Sequence, residues 1–404
     1  LKRIFADIRQ KQDKNRRRRD MTDNRYRRLP VGIQSFKVIR EENYLYVDKS
    51  DIVWNMVNLG DKYNYLSRPR RFGKSVLVDT LESYLEGRKD LFEGLKIMQL
   101  EKDWKHYPVI RLDMSRGGAN EETLRSYLNL RFKDYEEKYN ITPDPTAMLA
   151  DRFHAIIATA YKQTGLRVAV LIDEYDSPLQ HSWRTPEHEK CTGVYREVFA
   201  ILKADDEYEQ FVFITGITKF TQISLFSVLN NLSNISFTPE YAAICGITEE
   251  EIEENFMPEI RQMSEANNWS VQETHDRLKA YYDGYHFSDD NMVDIYNPYS
   301  LVNALKQRKI KNFWASSGAT SLLPKFVDNA ELRLSKFENC SIMRNTLELS
   351  DVSGGGAELF LYQSGYLTIK DSDEFGYILG FPNEEVKQAL YEEGKGLLDW
   401  KRAE

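Results

Sequence analysis

Gly73-Lys74-Ser75 stands where a β-rich run, Lys62-Tyr-Asn-Tyr-Leu-Ser67, gives way through a Pro/Gly loop to a helical pattern reaching about Glu86. Strand, tight loop and helix in that order admit few folds, because the helix must cross a sheet and return to a parallel neighbour. The triplet is also the end of the phosphate-binding pattern G-x-x-x-x-G-K-[ST]. Backbone N–H groups at such a helix start point at phosphate oxygens, and the helix dipole favours negative charge there. Gly73 allows close backbone approach, Lys74 reaches the β- and γ-phosphates, and the Ser75 hydroxyl can ligate magnesium. The candidate nucleotide-binding residues are therefore Arg70, Arg71, Phe72, Gly73, Lys74, Ser75 and Val76. Arg68 occupies the place of the first glycine. Arg68, Arg70 and Arg71 either add positive charge around the phosphates or form a solvated basic turn.

A second segment gives the first its meaning. Val168-Ala-Val-Leu-Ile-Asp173-Glu174 reads as a buried strand ending in two acids, with Asp173 lying 99 residues after Lys74. Carboxylates at the carboxyl edge of a parallel strand sit where such sheets bind ligands. Asp173 is the candidate magnesium residue with Ser75, and Glu174 the candidate for polarising an attacking water, with Lys74 as its catalytic companion. The next buried strand, Gln210–Gly216, ends in Thr215 and Thr218. Either hydroxyl could sense the γ-phosphate, or simply bond local backbone.

The text from about residue 40 to 245 alternates strands and helices, the signature of βαβ units. Helical patterns fall at about 120–138, 148–163 and 189–203, with a further strand at Tyr107–Asp113. After Gly246 helices dominate, with Thr248 placed as an N-cap ahead of acidic residues. Near the end a helix (Ala357–Gln363), a hairpin (Gly365 to Gly380) and a closing helix (Glu384–Glu393) suggest a winged-helix-like unit. The expected division is a basic disordered tail (1–28), an ATPase core (29–245), a helical lid (246–335) and a winged-helix-like α+β module (336–404).

The net charge of −8 conceals an asymmetry. Residues 1–30 carry 12 Lys+Arg against 4 Asp, leaving 43 basic and 59 acidic residues in the remainder. The head is expected to be a tail outside the fold, with a nucleic-acid arm as the alternative. An acidic body argues against sequence-independent DNA binding over its whole surface. No apolar run reaches the roughly 18–20 residues of a membrane helix, and the three cysteines are far apart. A cytoplasmic protein without a membrane partner is expected. Six histidines show no metal-ligand spacing, so zinc is not expected.

The strings Leu29-Pro-Val-Gly-Ile-Gln-Ser-Phe, Leu45-Tyr-Val-Asp-Lys-Ser50, Arg68-Pro-Arg-Arg-Phe-Gly-Lys-Ser75, Leu171-Ile-Asp-Glu-Tyr-Asp176 and Asn297-Pro-Tyr-Ser300 resemble, in this order, the bacterial AAA-ATPase-like family. The likeness runs from about residue 29 into the 380s. It implies ATP and magnesium as cofactors and a P-loop core with an additional strand, followed by a helical lid and a winged-helix-like region. The chain is also similar to signal-transduction ATPases in which a proline of the helical domain sits against the nucleotide. Pro298 matches that residue, or is simply a first-turn proline. Members often carry a C-terminal PD-(D/E)xK nuclease-like domain. No D…E-x-K pattern follows about residue 385, so no nuclease activity is expected. The expected function is ATP hydrolysis driving a switch or assembly cycle. The alternative is a nucleotide-locked regulatory protein with negligible turnover, acting on a protein or on DNA through the C-terminal module. A homo-oligomer fits either.

Overall fold

Near-continuous apolar runs bounded by turn residues suit strands shielded on both faces, and the chain builds its centre from such strands. The computed structural model describes residues 28–144, 146–220, 231–317, 323–326, 334–349 and 356–400. The expected tail lies outside the described residues except for Arg28, whose guanidinium bonds Glu42 and Tyr44.

Two helices, α1 (Phe36–Glu41) and α2 (Ser50–Asn58), precede β1 (Tyr63–Ser67) and α3 (Lys74–Leu85). β2 (Val109–Asp113), α4 (Glu121–Lys138), α5 (Leu149–Thr164), β3 (Val168–Asp173), α6 (Ser177–Ser182), α7 (Glu187–Ala204) and β4 (Glu209–Gly216) follow. With the short β5 (Ser233–Asn234) these strands form one sheet in the order β2-β3-β4-β1-β5. Every pairing in it is parallel. β4 thus lies between the strand that feeds the phosphate loop and the strand that ends in Asp173, as an additional-strand core requires. All six residues of β3 are buried. Helices α4, α5 and α7 pack on one another, and α1 and α2 each pack on α3.

Beyond the sheet, β6 (Ile247–Thr248) leads into α8 (Glu249–Asn255), α9 (Met257–Asn267) and α10 (Val271–Tyr282). β7 (Ile295–Tyr296) pairs with β6 and starts α11 (Pro298–Gln307). Thr248 caps α8 in a reciprocal box with Glu251, as the sequence suggested. These helices surround their own apolar cluster, from Ile247 to Phe313.

The last part contains β8 (Cys340–Met343), α12 (Gly356–Ser364), β9 (Thr368–Ser372), β10 (Gly376–Gly380) and α13 (Glu384–Trp400). The hairpin β9–β10 was legible in the sequence, but a third strand, β8, completes an antiparallel sheet in the order β8-β10-β9. Its apolar residues belong to the same cluster as the parallel sheet. The C-terminal part therefore packs onto the core. Among the described residues no helix is long and apolar enough to cross a membrane.

Candidate functional site

The loop after β1 turns on two left-handed residues, Arg71 (φ 69°) and Gly73 (φ 88°). Gly73 is the N-cap of α3, where no Cβ opposes that conformation. Lys74 is 3% exposed, and its ammonium donates to the carbonyls of Arg68 (3.0 Å) and Pro69 (3.1 Å). The same Nζ lies 3.9 Å from Glu174 Oε1. The two motifs that the sequence separates by 99 residues thus meet at one ammonium.

Glu174 has φ 51°, an uncommon conformation for a non-glycine residue, at a cost of about 1–2 kcal/mol. Asp173 is buried, and its side chain is bonded to Ser75. Burial, with the Glu174 carboxylate beside it, pushes the Asp173 carboxyl up to about 6. Its Oδ1 is buried without a hydrogen-bond partner. A buried carboxylate oxygen in this state suits a cation. The Ser75 hydroxyl and Asp173 carboxylate give the hard oxygen donors that magnesium takes. Among the described residues no group of three or more His, Cys, Asp or Glu could hold a metal.

A cavity of about 480 Å³ opens beside these groups. Arg70, Arg71, Phe72, Gly73, Lys74, Ser75, Val76 and Glu174 line its polar end. Val31, Ile33, Leu45, Val47, Ile247, Phe256 and Val302 make an apolar compartment. A pocket of this size, apolar with a few convergent polar groups, suits a small ligand. Pro298 opens α11 at its first position and also lines the cavity, as does its neighbour Tyr299. The Arg71 guanidinium lies 4.9 Å from the Tyr299 ring, linking the loop to the helical part.

Other expected residues lie elsewhere. The Thr215 hydroxyl is buried and donates to the Leu66 carbonyl (2.8 Å), and that of Thr218 donates to Asp176 (2.7 Å). Neither lines the cavity, which matches the plainer alternative of a locally bonded hydroxyl. The Arg68 guanidinium is buried and faces away from the cavity. It donates to the carbonyls of Ser67, Ser236 and Tyr241 and lies 4.2 Å from the Phe287 ring. Phosphate-facing charge from Arg68 is thereby corrected to a structural brace. Phe72 is buried edge-on against Tyr285 and Phe287.

Among the cavity residues to which the sequence reading gave no site role are Lys49, Asn303 and His181. Lys49 is buried and pairs with Glu251 at 2.6 Å, tying the N-terminal segment to the first turn of α8. Burial pushes its ammonium down, and Glu251 opposes that shift. Asn303 stands on α11, and His181 lies beside the Glu174 end with Nδ1 2.7 Å from the Ser177 carbonyl. A carbonyl oxygen only accepts, so Nδ1 is the donor in that contact. The signals were present but mute. Lys49 belongs to a string quoted above, and only the fold brings it to the cavity.

A parallel sheet with one strand between the phosphate-loop strand and the acidic strand, and a lysine joining the two motifs, defines a P-loop nucleotide-binding fold. The family described as "Predicted AAA-ATPase" matches residues 30–226. The chain is 32% identical over 375 residues to an "Uncharacterized protein in vnfD 5'region" of Azotobacter chroococcum mcd 1. That match covers 91% of this chain and 69% of the relative. The chain belongs to the AAA-ATPase-like family. Among solved structures, the Aeropyrum pernix Orc1 protein in complex with DNA is 13% identical, with 84% of this chain and 89% of that one covered at a TM-score of 0.29. Cdc6p from Pyrobaculum aerophilum is 12% identical, with 93% and 97% covered at a TM-score of 0.25. At such TM-scores neither supports a reading of this chain.

Proposed function

We propose that this chain binds ATP with magnesium and hydrolyses it to ADP and phosphate, using the nucleotide state to move the helical part as a switch. The observation that carries this is the meeting of Lys74, Glu174 and Ser75 at the polar end of the cavity, with the buried Asp173 bonded to Ser75 behind them. Triphosphate would lie along the loop, its oxygens taking N–H groups at the start of α3 and displacing the Arg68 and Pro69 carbonyls from Lys74. Glu174 orients water for in-line attack, and Lys74 balances charge gathering on the γ-phosphate. Ser75 and Asp173 would hold a magnesium ion, which would add further charge neutralisation at the phosphates. The base would occupy the apolar compartment between the N-terminal segment and α11, with Pro298 against it. Such a switch would draw on cytoplasmic ATP and could act as a homo-oligomer.

The second reading is a nucleotide-locked regulator with negligible turnover. A partner engaging its C-terminal part is better a protein than DNA, since residues 336–404 carry 7 Lys+Arg against 13 Asp+Glu. Calorimetry and phosphate release on wild type, Lys74→Ala and Glu174→Gln decide between the readings. For the enzyme, Lys74→Ala loses ATP binding, while Glu174→Gln binds and turns over at least ~100-fold more slowly. Binding without turnover in the wild type favours the regulator. Absence of ATP binding by the wild type overturns both.

A further inference from the structure

The two residues that follow Glu174 never reach the cavity and are fastened to the end of β4 and the turn after it. Tyr175 donates its N–H to the Thr215 carbonyl (3.0 Å) and its hydroxyl to the Thr218 carbonyl (2.8 Å). The same hydroxyl accepts from the Phe220 N–H (3.0 Å). Asp176 is fully buried, and a single oxygen, Oδ2, accepts from Ile217 N (3.0 Å), Thr218 N (2.6 Å), Thr218 Oγ1 (2.7 Å) and Gln180 Nε2. Four donors on one oxygen fix the carboxylate in position and orientation. Its other oxygen, Oδ1, faces Gly216, where an added Cβ would stand 2.4 Å from it. The last residue of β4 is thus a glycine against which Asp176 is seated.

We propose that Asp176 is a positioning residue for hydrolysis: it fastens the turn after β4 to the loop after β3 and so fixes Glu174 in its left-handed conformation, carboxylate toward the cavity. The proposal rests on the role given to Glu174 above. A turn of this kind needs no ionisable group, since a serine or asparagine bonds local backbone equally well. Burying a carboxylate opposes folding unless strong hydrogen bonds compensate. Here three of the four bonds come from Ile217 and Thr218, just past the end of β4, the strand between the two motif strands, and the fourth from Gln180 on α6. Asp176 thus ties the loop after β3 to the turn after β4 at the reacting end. Glu174 (φ 51°) would otherwise relax to a right-handed or extended conformation and turn its carboxylate away from Lys74. Asp176 itself does not line the cavity, so it acts only through Glu174.

The test compares ATP affinity by calorimetry with single-turnover hydrolysis in full-length wild type, Glu174→Gln, Asp176→Ala, Asp176→Asn and Gly216→Ala. Asp176→Ala is expected to lower the hydrolysis rate about 10- to 100-fold, the size of effect that a small misplacement of a reacting group produces. Its ATP affinity stays within about threefold of wild type, because the loss falls on the transition state alone. Asp176→Asn keeps an oxygen for the four donors and recovers most of the rate. Gly216→Ala pushes Asp176 from the opposite strand and reproduces the Asp176→Ala pattern. If Asp176→Ala does not fold, Thr218→Val removes one donor and should give a partial fall in rate at unchanged affinity. Wild-type turnover in Asp176→Ala or Thr218→Val, or equal losses of affinity and rate, overturns the proposal. If Glu174→Gln also turns over normally, the underlying role of Glu174 has failed. If Glu174→Gln is slow and Asp176→Ala is not, only the positioning role has.

Discussion

Arg68 replaces the first glycine of the phosphate-loop pattern, and restoring that glycine should damage the protein. The buried guanidinium holds three backbone carbonyls, those of Ser67, Ser236 and Tyr241. Burial pushes its pKa down, and the Phe287 ring and these carbonyls keep the cation in place. Arg68→Gly leaves buried acceptors unpaired, at about 1 kcal/mol or more each, so a loss of about 3–4 kcal/mol is expected. Urea unfolding measures it, and nucleotide affinity should not improve. At the same scale Lys49→Met leaves the Glu251 carboxylate of the capping box without its cation. A loss of about 2–3 kcal/mol is expected, larger than the ~1 kcal/mol for removing the Thr248 hydroxyl. Equal losses in the two variants would show that the ion pair adds nothing to the cap.

The four longer strands of the parallel sheet were written plainly in the sequence, because buried parallel strands are rich in apolar residues and Gly73 marks the start of α3. Thr248 disclosed its cap for the same reason, since the motif is local. The remainder needed tertiary partners. β8 is a four-residue strand, Cys-Ser-Ile-Met, whose pairing with β10 supplies what its own pattern lacks. β5, β6 and β7 are two residues each and exist only through their neighbours. In the site the groups that meet at Lys74 were legible from spacing, while Lys49, Asp176 and the true bearing of Arg68 depend on chain segments far away. β4 adds a prediction of its own. Glu209, at its start, is buried with Oε1 unpartnered, and Tyr63 donates to Oε2 at 2.7 Å. Burial pushes its carboxyl up to about 8. The folded state therefore binds a proton that the unfolded state releases near pH 4.5, and stability falls as pH rises from there to about 8. Glu209→Gln should remove that slope and stabilise the protein at pH 8 by about 1–3 kcal/mol, read from urea midpoints across pH 5–9.

The charge of the whole chain separates a basic head from an acidic body, and binding to duplex DNA should follow that division. Full-length chain and a 29–404 variant, compared by anisotropy at 50 and 200 mM salt, should differ. Any affinity in the first falls steeply with salt and is absent in the second. Salt-steep binding by 29–404 would point to a local basic groove in the body. The molecule is also closed on itself. Gly365 lies so near the phosphate loop that an added Cβ would stand 2.6 Å from Pro69, and the Tyr285 hydroxyl bonds the Gly365 carbonyl while its ring meets Phe72. Translation runs in one direction, at ~5–20 residues per second, so the back wall of the loop reaches the exit tunnel tens of seconds after the loop itself. A nascent chain would hold Gly73-Lys74-Ser75 without the surface that steadies it, and would gain a firm grip on nucleotide only once Gly365 and its neighbours have emerged. Possession of ATP would then distinguish chains synthesised past this point from those that have not reached it.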